Sequence, residues 1–369
     1  MKITAVRTMV VLGPRRSVYG KAFQSALGTS TRSEHGLVFI DTDEGITGIG
    51  EISSIFKRRG RLLCREVDQL LGPALVGEDP FRIAYLLQKM ERALDGSQVA
   101  KAGLEMALYD ICGKALNTPV YNLLGGQARD RVPLSFSIPF GQPAEMSRFA
   151  RDLVGQGYQT IKLKVGIDAR RDLETIRCVR EAVGPDIQIR VDANMAWRTP
   201  KEAIERITAM QPYQLQLVEQ PLQPRDLDGL AFVRAHVGVP IMADESVWTP
   251  QDAMEVIRRG AADVVNVYVS ESGGLFNATR TFAMCEAAGI PCMIGSMPEF
   301  GLGTAACIHL GVSMTNLGFD SDTCGVLYHA EDLLAEPLHI EGGFAYPPTG
   351  PGLGVTLNLD VVKRWAVQA

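Results

Sequence analysis

The sequence predicts an α/β fold: a (β/α)8-type TIM barrel over residues 126–339, preceded by an α+β capping domain over residues 1–125. Three observations carry this. From Val132 onward, short apolar strands alternate with stretches of helical periodicity such as "RRDLETIRCVREAVG". The polar landmarks near the strand ends are Lys164, Asp192, Glu219, Asp244, Tyr268, Ser296 and Asp322, and they recur every 24 to 28 residues, close to one βα unit each. Before residue 125 the pattern is different, with antiparallel strand signals followed by amphipathic helices.

In order along the chain, "AVRTMVVLG" and "GLVFIDTDEGITGIGE" read as antiparallel strands around a DEG turn. "PFRIAYLLQKMERAL" and "VAKAGLEMALYDICGKAL" read as helices. The barrel strands are "VPLSFSI", "TIKLKV", "IQIRVDAN", "LQLVEQP", "IMADES", "VVNVYVS", "PCMIGSM" and "LGFDSD", the last unit being the least regular. The tail, residues 340–369, carries strand signals again ("HIEGGFAYP") and is expected to return to the capping domain and complete it. No low-complexity linker separates the two parts, so they are expected to pack together.

A formal net charge of −5 gives no basic footprint for nucleic acid. No apolar run approaches the roughly 20 residues that span a bilayer, so no membrane partner is expected. Seven scattered cysteines without a CxxC pair argue for reduced thiols and a cytoplasmic location, against a disulfide frame or a zinc site. The run Lys57-Arg58-Arg59 reads as a solvated face or as a contact for a small anionic substrate.

The chemistry begins with "TIKLKVG". Side chains alternate faces along a strand, so Ile161, Leu163 and Val165 share the face toward the surrounding helices while Lys162 and Lys164 point into the barrel. Barrel active sites lie at the C-terminal ends of the strands, where both lysines fall. Desolvation and mutual repulsion are expected to lower a buried lysine's pKa toward that of a base. The next three strands end in Asp192, Glu219 and Asp244. Three carboxylates converging at a barrel mouth suit a hard divalent cation, Mg²⁺ above all, and the absence of His and Cys there weakens zinc. A metal beside a lysine makes removal of a proton α to a carboxylate plausible, through an enediolate.

Lys162-x-Lys164 followed by Asp192, Glu219 and Asp244 resembles the enolase superfamily in its muconate-lactonizing-enzyme subgroup. "GLVFIDTDEGITGIGE" is similar to that family's capping strands and "ALYDICGKALNTPVYNLLGG" to its cap-to-barrel joint. "GSMPEFGLGTAA" is similar to its seventh-strand segment, with Glu299 at the acidic position, and "PPTGPGLGV" to its C-terminal ending. The resemblance implies Mg²⁺ on the three acids, Lys164 as the base, and Lys162 lowering the pKa of Lys164 and holding the substrate carboxylate. It also implies cap loops closing over a small carboxylate substrate, with Ser53–Gly60 and the region around Tyr19–Phe23 as candidates, and by analogy a homo-oligomer.

The sequence departs from its relatives in one respect that bears on outcome. Where many members carry a sixth-strand lysine for two-base epimerisation, this chain has Tyr268. A phenol is a poor substitute for an ammonium, though it can donate a hydrogen bond or proton. One-base elimination (a dehydratase) or cycloisomerisation therefore gains ground over epimerisation of an amino acid derivative or dipeptide. None of the five histidines falls at a strand mouth. In the eighth strand, Asp320 and Asp322 lie two apart, as in dipeptide epimerases, and suggest a substrate ammonium or, equally, pairing with a basic residue of the cap. Asn194, Ser296, Glu299, Asp320, Asp322 and Lys57 are the candidate substrate-binding residues. Two other classes remain open: a Schiff-base aldolase using Lys164, and a non-catalytic metal-binding barrel, against which the two retained lysines argue.

Overall fold

The computed structural model describes residues 1–16, 22–54 and 59–367. Lys57 and Tyr19 lie outside the described residues.

In the cap, strands Ile3–Pro14, Arg32–Thr42 and Thr47–Ile52 form an antiparallel sheet, and Ala366–Val367 from the tail pairs with the free edge of the first. Gly45, at φ +77°, makes the tight turn between the second and third strands. Helix Gln98–Ala115 packs on this sheet, and it can approach because the strand presents glycines on that face. A Cβ at Gly48 or Gly50 would stand 2.1 or 2.0 Å from the carbonyl oxygens of Ala107 and Gly103.

Seven barrel strands run parallel in sequence order: Ser135–Ile138, Thr160–Lys164, Gln188–Asp192, Val218–Glu219, Ile241–Ala243, Val264–Val267 and Cys292–Ile294. The eighth stretch closes the ring without forming a regular ladder, bridging Leu134 through Ser321 and Cys292 through Leu317. Backbone hydrogen bonds complete the closure, from Ser135 N to Ser321 O and from Asp322 N to Ile294 O, each 2.9 Å. Each of the seven strands is followed by an α-helix, but the eighth is followed only by the single turn Gly325–Tyr328. The tail divides its contacts. Its hairpin, Ile340–Glu341 with Phe344–Ala345, pairs with Val132–Pro133 at the start of the first barrel strand, and only its last residues join the cap sheet.

Local signals start several barrel helices. Asp168 accepts from Arg170 N and Arg171 N, and Thr199-Pro200 and Thr249-Pro250 place a capping hydroxyl directly before proline at the first helical position. Alternation along the strands sorts the core into two regions. Outward residues such as Ile161, Val191 and Val265 join the large strand–helix core, while Leu217, Met242, Val264 and Met293 form a separate apolar plug inside the barrel.

Carboxylates of the cap bind the N-termini of barrel helices. Glu51, fully buried, accepts from Phe300 N at 2.9 Å and Gly303 N at 2.8 Å, at the start of helix Gly301–Ser313. Glu105 accepts from Leu275 N at 2.8 Å and Phe276 N at 2.7 Å, at the start of helix Leu275–Ala287. The first N–H groups of a helix have no partner within it and carry the positive end of its dipole, so a carboxylate there is favourable. Because barrel helices start just after the strands' C-terminal ends, these contacts seat the cap over that end of the barrel.

Candidate active site

Between cap and barrel lies a cavity of about 750 Å³, lined from the barrel by Lys162, Lys164, Asn194, Asp244, Tyr268 and Ser296 among others. From the cap come Ser53, Ser54 and Arg59, which flank the part of the predicted loop that lies outside the described residues. The volume is in the range of small-molecule sites.

The second strand brings both lysines to the inner face, as alternation requires. Lys162 is the deeper, with its side chain 3% exposed against 11% for Lys164. Lys162 Nζ lies 2.7 Å from Glu219, 2.9 Å from Asp322 and 3.2 Å from Asp192. Lys164 Nζ donates to Asp192 at 2.5 Å. The expectation that crowding would lower a lysine's pKa does not hold for Lys162. Burial acts in that direction, but Asp322, Glu219, Asp192 and Asp244 together hold it well above the ordinary lysine value. Four acids around one ammonium outweigh its desolvation.

Asp192, Glu219 and Asp244 each offer an oxygen within 4.8 Å of the others. Burial and neighbouring acids raise the pKa of Glu219 and Asp244 well above the usual carboxylate range. Asp192, despite its burial, is held below that range by Lys164 and Lys162. Glu219 Oε2 is buried and has no hydrogen-bond partner. Three buried carboxylates, one with an orphaned oxygen, are the donor set a hard divalent cation requires, so the residues fit such an ion. The loops after the strands hold these acids in place. Asn194, at φ +42°, donates its N–H to Asp192 at 2.8 Å and its side-chain amide to Glu245 at 3.1 Å. Gln220, at φ +36°, accepts from Asp244 N at 2.9 Å and donates to Ser246 Oγ at 2.8 Å, tying the fourth strand end to the fifth.

Tyr268 stands at the end of the sixth strand with its hydroxyl 3.1 Å from Asp244 Oδ2. Burial, then Asp244, raise the pKa of its phenol well above 10. The ring fits because residue 295 is glycine: a Cβ there would fall 2.2 Å from Tyr268 Cζ. Ser296 Oγ donates to Glu299 at 2.5 Å, and Glu299 also accepts from Met297 N at 2.8 Å, so Glu299 organises the seventh-strand loop. Asp322 reaches the cavity, but Lys162 and Ser135 engage it. Asp320 accepts from Thr160 Oγ1 at 2.7 Å and is not among the cavity-lining residues.

Sequence reasoning did not single out Arg190, Gln220, Glu245 or Glu271. Arg190 shares the inner face with Asp192 two residues on, is fully buried and donates to Asp320 O at 2.7 Å. Its position in the alternation was the available signal. Glu245 and Glu271 sit in turns, where no periodicity marks which way a side chain points.

Two family models match the chain: mandelate racemase / muconate lactonizing enzyme, N-terminal domain, over residues 7–125, and enolase C-terminal domain-like, over residues 145–361. The chain belongs to the mandelate racemase/muconate lactonizing enzyme family of the enolase superfamily. Among its relatives in this family is a hydrophobic dipeptide epimerase of Enterococcus faecalis, 38% identical over 80% of this chain and 84% of the relative. An N-succinyl-L-Arg/Lys racemase of Bacillus cereus is 31% identical over 100% of this chain and 98% of its own length. The crystal structure of the muconate lactonizing enzyme of Pseudomonas fluorescens, complexed with muconolactone, superimposes with a TM-score of 0.95 at 30% identity, covering 99% of each chain. Family membership implies a divalent metal, and the acidic triad is where this chain can hold it. Among the described residues no helix is long and apolar enough to cross a membrane.

Proposed function

We propose that this enzyme removes a proton α to the carboxylate of a small acid by one-base chemistry, with Lys164 as the base, and completes the reaction by elimination or cycloisomerisation. The observation that carries this is the asymmetry of the cavity. Lys164 is the outer of two lysines on the second strand, and on the sixth strand Tyr268, tied to Asp244, stands where a second lysine would complete a two-base pair. Asp192, Glu219 and Asp244 would hold Mg²⁺, which supplies Lewis-acid stabilisation of the negative charge that develops on the substrate's carboxylate oxygens.

The chain's own residues do the rest. Asp192 fixes the Nζ of Lys164 at the cavity wall, and on deprotonation that nitrogen takes the α-proton. Lys162, locked among Glu219, Asp322 and Asp192, keeps its proton and offsets the charge of the acids. The Tyr268 hydroxyl orients Asp244. The cap, residues 1–125 completed by the end of the tail, covers the cavity and excludes water, with Ser53, Ser54 and Arg59 at its edge. The free cysteines of the described chain suit a reducing cytoplasm, and family analogy suggests a homo-oligomer.

The test is proton NMR in D₂O with Mg²⁺ against amino, imino and hydroxy acids. The expected result is loss of an α-proton signal from one enantiomer without racemisation, abolished by Lys164→Ala. Exchange of both enantiomers at equal rates would overturn the one-base assignment. An adduct trapped on Lys164 by borohydride, with activity surviving chelation, would favour the aldolase class instead.

A further inference from the structure

The two acids that the sequence offered for a substrate ammonium are committed elsewhere. Asp322 is paired with Lys162 and bonded by Ser135, and Asp320 holds Thr160. Two cavity acids, Glu245 and Glu271, have a buried Oε2 with no hydrogen-bond partner; Glu245 is held through Oε1 by the Asn194 amide at 3.1 Å, and Glu271 has no side-chain partner among the described residues. Glu271 lies just beyond the sixth strand, lines the cavity and is 2% exposed. Its Oε2 is buried with no hydrogen-bond partner, and the charged groups that act on it are Glu245 and Glu299. It is not one of the three acids whose oxygens converge as a metal site.

The turn that carries Glu271 is braced. Ser272 N bonds Tyr268 O at 3.1 Å and Gly274 N bonds Val269 O at 2.9 Å. Gly274, at φ +120°, packs so closely on Glu105 of the cap that a Cβ would meet its Oε2 at 2.3 Å. The carboxylate is therefore presented to the cavity from a turn clamped on both sides. Burial, then Glu245 and Glu299, raise its pKa well above the usual carboxylate range. A buried carboxylate without a partner is costly, and a substrate cation supplies the missing partner.

We propose that Glu271 is the subsite for a protonated amine on the substrate, so that the enzyme acts on an amino or imino acid, or on a derivative that keeps its ammonium. This rests on the reading of the cavity as a site of proton abstraction α to a carboxylate. Glu271 then selects among such acids by charge: it favours the ammonium form and disfavours the N-acylated or purely anionic analogue, which would leave the carboxylate unpaired.

The test offers the full-length protein with Mg²⁺ a panel of amino and imino acids and their N-acetyl counterparts in D₂O, as wild type, Glu271→Gln and Glu271→Asp. In parallel, calorimetry measures binding of the same panel to Lys164→Ala protein with and without Glu271→Gln, and binding of Mg²⁺ alone. The expected result is turnover or exchange of free amines in preference to N-acetyl analogues. Glu271→Gln should raise KM for the amines by roughly tenfold or more with kcat little changed, and Glu271→Asp should restore part of it. Equal use of N-acetyl analogues, an unchanged KM in Glu271→Gln, or a change in the affinity for Mg²⁺ alone would overturn the proposal. If no member of the panel exchanges or turns over, the proton-abstraction reading fails and calorimetry decides for Glu271 separately. Amine binding weakened about tenfold by Glu271→Gln upholds it, and absent or unaltered binding overturns it.

Discussion

Replacing Lys162 by methionine removes one ammonium from the centre of the site and keeps most of the side chain's length. In the structure that ammonium is within 3.2 Å of three buried carboxylates, on Glu219, Asp322 and Asp192. Truncating one partner of a buried ion pair costs about 3–5 kcal/mol, because the remaining charge is left desolvated and unpaired. With about 2.1 cal/mol/K of unfolding entropy per residue over 369 residues, that loss lowers the thermal midpoint by about 4–6 °C. The deficit should depend on pH with a definite sign. Lys162 and Arg190 hold Asp322 below its ordinary pKa against the opposing effect of burial, so this pairing stabilises the fold above the unfolded carboxylate pKa, near 4, and is lost as pH falls through the lower folded value. Without Lys162 the stranded acids move to raised values, and their cost grows as pH rises from about 4. The variant should therefore be least stable relative to wild type at about pH 8 and close to it near pH 4. The assay is thermal unfolding of chelator-treated protein at several pH values, followed by circular dichroism. A deficit below about 1 kcal/mol, or one equal at about pH 5 and about pH 8, would refute the reasoning.

Three further outcomes are expected. Gly295→Ala places a Cβ 2.2 Å from Tyr268 Cζ, so it should cost about 1–3 kcal/mol by overpacking and break the contact with Asp244; the cost should largely disappear in a Tyr268→Ala background, and a cycle showing simple additivity would sink this account. Because burial raises Glu219 and Asp244, protons compete with a divalent cation, so calorimetric Mg²⁺ affinity should fall as pH drops from about 8 to about 6, whereas a pH-independent affinity would contradict it. Glu51→Ala strands the N–H groups of Phe300 and Gly303 and should cost about 2–3 kcal/mol, with faster amide exchange at those two residues; unchanged exchange there would show that the cap is not held by this carboxylate.

Much of the site was legible in the sequence because a strand's alternation is local information. Once Thr160–Lys164 is a strand with an apolar outer face, Lys162 and Lys164 must point inward, and the regular spacing of βα units carries Asp192, Glu219 and Asp244 to neighbouring positions at the same end. The capping thresholds of the barrel helices, such as Thr199-Pro200 and Thr249-Pro250, were local for the same reason. Which charge pairs with which was not legible. Lys162 meets Asp322 across 160 positions of chain, and Glu51 reaches the N-terminus of a helix 249 residues away. The eighth unit ends in a single turn rather than a helix, and its aspartates separate into one that meets a lysine and one that meets a threonine. Such partners are chosen by the closure of the barrel and the seating of the cap, and their energies depend on burial that exists only once the chain has folded. The sequence by itself determined the barrel, the inward face and the gathering of the acids and lysines at one end of it, since these follow from periodicity and residue type. Only the tertiary structure decided that Lys162 is surrounded by acids and raised in pKa, and that Glu271 is left facing the cavity without a side-chain partner among the described residues. Both are properties of the long-range electrostatic field inside the closed barrel.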